Sequence, residues 1–232
     1  MNTRLLNKDS KKIFNAALKA ADAYAAVKGY FANHPSPDVK GNLFLIGAGK
    51  ASCRMAMAAE ELFGDRITAG IIVTKYGHGF PWKKSRVIEA GHPLPDENGL
   101  KAAKEISKLL EGAKEKDMVL VLISGGGSAL LPFPSDGISL PDKIKITGIL
   151  LKSGADIHEL NTVRKHLSKI KGGGLARIAY PARVLSLIVS DVLGDDLSVI
   201  SSGLTAPDAS TYKQALEIIK RFKLELNIPV SI

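Results

Sequence analysis

A cation in the first turn of a helix is electrostatically awkward, and this chain sets a lysine there. Gly47, Ala48, Gly49, Lys50, Ala51 and Ser52 close one apolar run and open an amphipathic stretch. The free N–H groups of a helix start carry partial positive charge, so a cation beside them costs about 0.3 to 1 kcal/mol unless an anion shares the site. Lys50 therefore either extends into water or meets a phosphate or carboxylate that the turn, with Gly47 and Gly49, lets approach. The turn is not a P-loop, because too few residues separate its glycines and Ser52 does not directly follow Lys50. It is also a poor dinucleotide fingerprint. Ser52 stands where a third glycine belongs, and the next apolar run ends in Thr74 and Lys75 instead of an acidic residue.

Two further clusters carry anion-binding chemistry. Ser124, Gly125, Gly126, Gly127 and Ser128 follow the most apolar run of the chain. Adjacent glycines let backbone N–H groups come close to an oxyanion, and two hydroxyls add donors. Asn161, Arg164, Lys165 and Ser168 then stand three to four residues apart, with His166, Lys171 and Gly172 to Gly174 beside them. That spacing can gather amide, guanidinium and ammonium donors on one helical face, although a solvated basic stripe has the same spacing. Asp191, in the stretch Ser190 to Asp196, is placed to hold magnesium or a phosphate partner, whereas Asp195 and Asp196 read better as caps. His78 and His92 lie in short loops, where a histidine can be acid, base, ligand or simply structural.

These clusters need elements to position them. Short apolar runs at Leu43 to Ile46, Gly70 to Thr74, Arg86 to Glu89, Met118 to Ile123 and Val184 to Val189 alternate with amphipathic stretches. The stretches run over Ala51 to Phe63, Glu97 to Glu111, Leu140 to Lys152 and Thr211 to Phe222. Apolar runs without in-and-out alternation are strands buried on both faces, so the expected fold is α/β, a doubly wound, Rossmann-like parallel sheet flanked by helices. In such a sheet, ligands sit beyond the carboxyl ends of the strands, where the glycine turns fall. Asp9 and Ser10 can cap a first helix whose apolar positions run from Ile13 to Tyr24, with His34 to Pro37 ending it.

Composition narrows the classes. With 232 residues, 45% of them apolar, the chain can bury a large core. No apolar run approaches membrane-spanning length and the first residues are polar and basic, which points to a cytoplasmic protein without a membrane partner. One cysteine, Cys53, excludes an internal disulfide. The net charge of +9 suits anionic partners, but the basic residues are scattered among acidic ones without interleaved aromatics, which argues against nucleic acid.

Taken together and in order, the strings GAGKAS, KYGHG, AGHPLPDENG, SGGGSALLP, NTVRKHLSKIKGGGLA and SDVLGDDLSVISSG resemble the type-2 glycerate kinases, some members of which have been labelled hydroxypyruvate reductases. The resemblance runs from the first helix to about Tyr212. It departs at Leu204, where relatives usually carry proline. It implies transfer of the γ-phosphoryl of ATP to D-glycerate with Mg2+, in a cleft between two α/β domains. On that reading residues 1–232 make the amino-terminal domain and one wall of the cleft, with the carboxyl-terminal domain lying outside the chain, and the chain alone is expected to lack activity. A homodimer is an open possibility. Residue by residue, the resemblance makes Lys50 the active-site lysine and Ser124 to Ser128 the anion loop. It makes Asn161, Arg164 and Lys165 the basic helix beside the cleft, and Asp191 the polar end of the last strand. An NAD(P)-dependent hydroxypyruvate reductase and a non-catalytic anion-binding domain remain as alternatives.

Overall fold

The computed structural model describes residues 3–81 and 83–232. Its order is α1 (Thr3–Ala20), α2 (Ala23–Asn33), β1 (Leu43–Ala48), α3 (Ser52–Phe63), β2 (Ile67–Lys75), β3 (Ser85–Ala90), α4 (Glu97–Leu110) and β4 (Met118–Ser124). There follow α5 (Gly127–Leu130), α6 (Leu140–Lys152), α7 (Ile157–His166), α8 (Gly174–Ala179), β5 (Arg183–Val189) and α9 (Tyr212–Arg221). The five expected strands are all present, and every pairing is parallel, in the order β3-β2-β1-β4-β5. The sheet is thus α/β and Rossmann-like. Its direction of winding reverses between β1 and β4, so the loops leaving those two strands part and open a crevice at the carboxyl edge.

Both faces of the sheet are covered, which is why β1 and β4 read as unbroken apolar runs. Phe44, Ile46, Val119, Val121 and Ile123 turn to one face and pack with Ala102, Ala103, Ile106 and Leu110 of α4. Leu43, Leu45, Leu120 and Leu122 turn to the other and meet Cys53, Met55, Ala56 and Ala59 of α3 and Val27 of α2. Cys53 is therefore core packing, and burial pushes its thiol pKa up. A third cluster lies apart from both faces: Ile146 and Leu150 of α6, Leu160 and Val163 of α7, and Ala215 and Ile219 of α9.

The amino-terminal region differs from expectation. Asp9 and Ser10 lie inside α1, not at its start, and the periodic apolar positions are split between two helices. The break is set by Asp22, whose carboxylate accepts the Tyr24 N–H at 3.0 Å as an N-cap and holds Arg54 of α3 at 2.8 Å. Ile13 and Phe14 of α1 consequently stay exposed.

Candidate functional site

The turns after β1 and β4 are joined to each other. Gly49 has φ +142, and a Cβ there would collide with the Ser124 hydroxyl and lie 2.6 Å from the Ser124 carbonyl oxygen, so only glycine fits. Lys50 N donates to Gly125 O at 3.0 Å, and Ala51 N to Ser124 Oγ at 2.9 Å. Ser52 turns its hydroxyl inward, onto Gly49 O at 2.7 Å and Val73 O at 2.9 Å. The start of α3 is therefore less open than its sequence suggests. The N–H groups of Lys50, Ala51 and Ser52 are spent on the protein, Ser52 N on Gly49 O at 3.2 Å. What this turn presents to a ligand is the exposed Lys50 side chain.

Around Gly125 and Gly126, groups from four strand ends meet. A Cβ on Gly125 would collide with the Asp191 carboxylate, which comes from the end of β5. A Cβ on Gly126, whose φ is +91, would lie 3.0 Å from His92 Nε2 and 3.4 Å from Lys50 Cε. Glycine here makes room for an imidazole and a lysine stem to close on the backbone. Burial, then the charges of Lys50 and Lys75, push the His92 pKa below its ordinary value of 6.5, while Asp191 pulls the other way. The Lys50 ammonium, the His92 ring and the Asp191 carboxylate make no hydrogen bond or ion pair with any described residue. Lys50 and Asp191 are exposed, where water satisfies a charge; the place is marked instead by an ammonium, an imidazole and a carboxylate that three different strand ends bring to one edge.

Two residues further on, the chemistry inverts. Ser128 Oγ accepts from Arg164 Nη2 at 2.5 Å and Lys171 Nζ at 3.0 Å, and faces Ser202 Oγ at 2.8 Å. Lys171 Nζ also donates to Ser128 O at 2.8 Å, and Ser202 Oγ donates to Asn161 Oδ1 at 2.8 Å. Asn161 is 3% exposed and Lys171 is 2% exposed. Burial, together with Arg164 and Lys143, holds the Lys171 pKa well below the usual lysine range, and burial lowers that of Arg164 to about 10. Ser201 and Ser202 adopt left-handed backbone (φ 51 and 58), a strain of about 1 kcal/mol or more each. That strain aims Ser202 at Ser128, and Ser201 Oγ at the Ser124 carbonyl at 3.2 Å.

Helix α7 divides its basic residues where a shared face was expected. Asn161 and Arg164 turn to Ser128 and Ser202, whereas Lys165 pairs with Asp208 at 3.3 Å. One helical step turns a side chain by about 100°, enough to send Lys165 elsewhere. Ser168 lies past the end of the helix and donates to Phe133 O at 3.1 Å. Lys165, His166, Arg177, Asp208 and Tyr212 line a cavity of about 600 Å3 that Lys171 borders as well. Asp196 accepts from Ser198 N at 2.8 Å in the turn that precedes Ile200–Ser202, and that short helix has no side-chain cap, so the expected capping of it by Asp195 or Asp196 is not made.

Lys143 escaped the sequence reading. It is 4% exposed, donates to the carbonyls of Arg164 (3.2 Å) and Leu167 (2.9 Å), and so caps the carboxyl end of α7. Burial and Arg164 lower its pKa to about 7. The signal was present, since Lys143 interrupts the buried stripe Leu140, Ile146 and Leu150 of α6. Ser202 left no such trace. Among the described residues no three His, Cys, Asp or Glu side chains gather as a metal site, and no helix is long and apolar enough to cross a membrane.

Comparison with known proteins places this geometry among relatives. Residues 9–232 match a family described as a domain of unknown function, DUF4147. The chain is 44% identical over 229 residues to the glycerate 2-kinase of Pyrococcus horikoshii, covering 95% of this chain and 51% of that protein. It is 49% identical over 184 residues to the D-glycerate 2-kinase of Thermotoga maritima, covering 79% of this chain and 44% of that protein. The crystal structure of a glycerate kinase from Thermotoga maritima superposes with a TM-score of 0.90 at 43% identity, over 98% of this chain and 54% of that one. The chain thus spans about half the length of the curated relatives it matches.

Proposed function

The chain belongs to the DUF4147 family, and from that premise we propose that it carries the reacting edge of a glycerate kinase. In this reading the γ-phosphoryl of ATP passes to a hydroxyl of D-glycerate, giving 2-phosphoglycerate, in a cytoplasmic enzyme of which this chain supplies one wall of the cleft. The observation that carries the reading is the meeting of Lys50, His92 and Asp191 around Gly125 and Gly126, their side chains unbonded to any described residue. The names of the relatives support the substrate class.

Phosphoryl transfer asks mainly for positioning and for positive charge around the moving oxygens. Lys50 stands ready to neutralise charge on the transferring group. His92, held neutral by burial and by Lys50 and Lys75, is able to take the hydroxyl proton as the bond from glycerate oxygen to phosphorus forms and the bond to ADP breaks. Ser124 to Ser128, with Asn161 and Arg164 behind them, hold anionic ends of the reactants, and Lys165 lies further out. Asp191 suits Mg2+, which is commonly bound through one or two carboxylates plus substrate phosphates and water. When bound, the ion would supply charge neutralisation on the phosphate oxygens.

Reduction of hydroxypyruvate with NAD(P)H is the rival. Lys75 could receive a 2′-phosphate, but a dinucleotide pyrophosphate needs free N–H groups at the start of α3, and those of Lys50 and Ala51 are bonded to the β4 turn. A coupled ADP-release assay on the longest form of the protein, with D-glycerate, L-glycerate and tartrate, tests the reading. ADP formation should depend on D-glycerate. NAD(P)H oxidation with hydroxypyruvate and no ADP release would replace it with the reductase.

A further inference from the structure

One buried cluster holds cations without a counter-charge. Lys171 and Lys143 are buried, Arg164 lies half-buried beside them with its Nε enclosed, and none of the three forms an ion pair with an Asp or Glu among the described residues. Lys143 is accounted for by the α7 carbonyls. The other two converge on one hydroxyl. Ser128 Oγ has two lone pairs, and Arg164 Nη2 and Lys171 Nζ fill both. Its proton must then point to Ser202 Oγ, which passes its own proton to Asn161 Oδ1. The relay leaves donors over: Asn161 Nδ2 and Arg164 Nε are buried without any acceptor. Native interiors leave few such groups, and buried cations without an anion are strongly disfavoured.

We propose that Asn161, Arg164 and Lys171, gathered around Ser128, receive the carboxylate of the hydroxy-acid substrate. The proposal rests on the kinase reading and assigns one of its two anions. A carboxylate only accepts hydrogen bonds, at two oxygens with about four lone-pair positions, and a guanidinium beside an amide suits it. Nucleotide phosphates fit poorly, because they travel with a metal and water and need an open groove, whereas Asn161 and Lys171 are enclosed and Arg164 is only half-exposed. Ser128 is two residues beyond Gly126, where Lys50 and His92 meet. Two residues span at most about 7 Å, so a three-carbon acid held at its carboxylate here can offer its hydroxyl there. The buried Lys171, disposed to lose its proton, regains it when the anion arrives, so binding takes up a proton.

The test is calorimetric titration of D-glycerate, and separately of ATP, into the longest form of the protein, as wild type and as Asn161→Asp, at pH 8 in two buffers of different ionisation heat. Asn161→Asp keeps the Ser202 hydrogen bond and gives the cations a built-in carboxylate. It should weaken D-glycerate binding about tenfold or more, leave ATP binding unchanged and raise Tm. Wild type should take up a proton with D-glycerate, and glycerol should not compete. Arg164→Lys, which keeps the charge but loses the planar fork, should weaken D-glycerate in the same way and serves if Asn161→Asp does not fold. Unchanged D-glycerate affinity in the variants would overturn the proposal. Loss of ATP affinity with glycerate unaffected would turn the cradle into a phosphate site and leave the kinase reading standing. Wild type that binds neither ligand would count against the kinase reading itself.

Discussion

Gly126 and Ser128 are two residues apart, yet the groups around them follow opposite rules. At Gly126, the side chains of Lys50, His92 and Asp191 reach toward the carboxyl edge and bond to no described residue. At Ser128, cations and hydroxyls are buried or half-buried and nearly every one is spent on a neighbour. The first arrangement costs little stability and waits for chemistry. The second is fixed before any ligand arrives, which is what precise holding of a small acid requires. One glycine-rich turn can supply both because its amino end lies along the sheet edge and its carboxyl end dives beneath α7.

Substitutions should separate the two regions. The largest effect is expected from Lys50→Ala in the longest form of the protein, which should lower glycerate-dependent turnover by about two to three orders of magnitude, the scale on which positioned electrostatic groups act, while leaving Tm unchanged. Half-maximal activity in that variant would move the charge to Lys75 and dissolve the distinction drawn at Gly126. Ser128→Ala should show the reverse emphasis. It strips the shared acceptor from Arg164 and Lys171 and should destabilise the chain by about 1 to 3 kcal/mol in denaturant unfolding. Wild-type stability there would mean the network is dispensable to the fold.

The smallest effect concerns pH and sharpens the buried side alone. The Lys143 pKa falls from 10.5 unfolded to about 7 folded, so between those values the unfolded chain holds a proton that the folded one has released. Stability should therefore rise as pH increases from about 7 toward 10.5, and at lower pH Lys143 adds no further slope. Lys143→Met should reduce that rise in a Tm series, the remainder belonging to Lys171, whose pKa burial also lowers. An identical slope in both proteins would assign it to another group.

The sheet was legible because burial on both faces erases alternation, leaving five apolar runs whose ends bear the glycines. Lys50, Ser124 to Ser128 and Asp191 could be brought to one edge for the same reason. What sequence could not reveal was which side of α7 faces inward. Arg164 and Lys165 are adjacent cations, and only packing of Leu160 and Val163 against α6 and α9 decides that one turns to Ser128 and the other to Asp208. Ser202 was hidden because a left-handed turn is read from glycine, and here two serines adopt it. Lys143 was visible as a break in an apolar stripe, a pattern that ordinarily signals a solvent-facing position.

The separate apolar cluster of α6, α7 and α9 has a consequence for how the molecule breathes. Asn161 and Arg164 ride on that cluster, whereas Ser128 belongs to the sheet layer and Ser202 to the loop beyond β5. Amide hydrogens of the three helices can exchange with water through openings that leave the sheet closed. Each opening would pull two donors off the serine relay, so an anion seated among them acts as a clamp between two cooperative units.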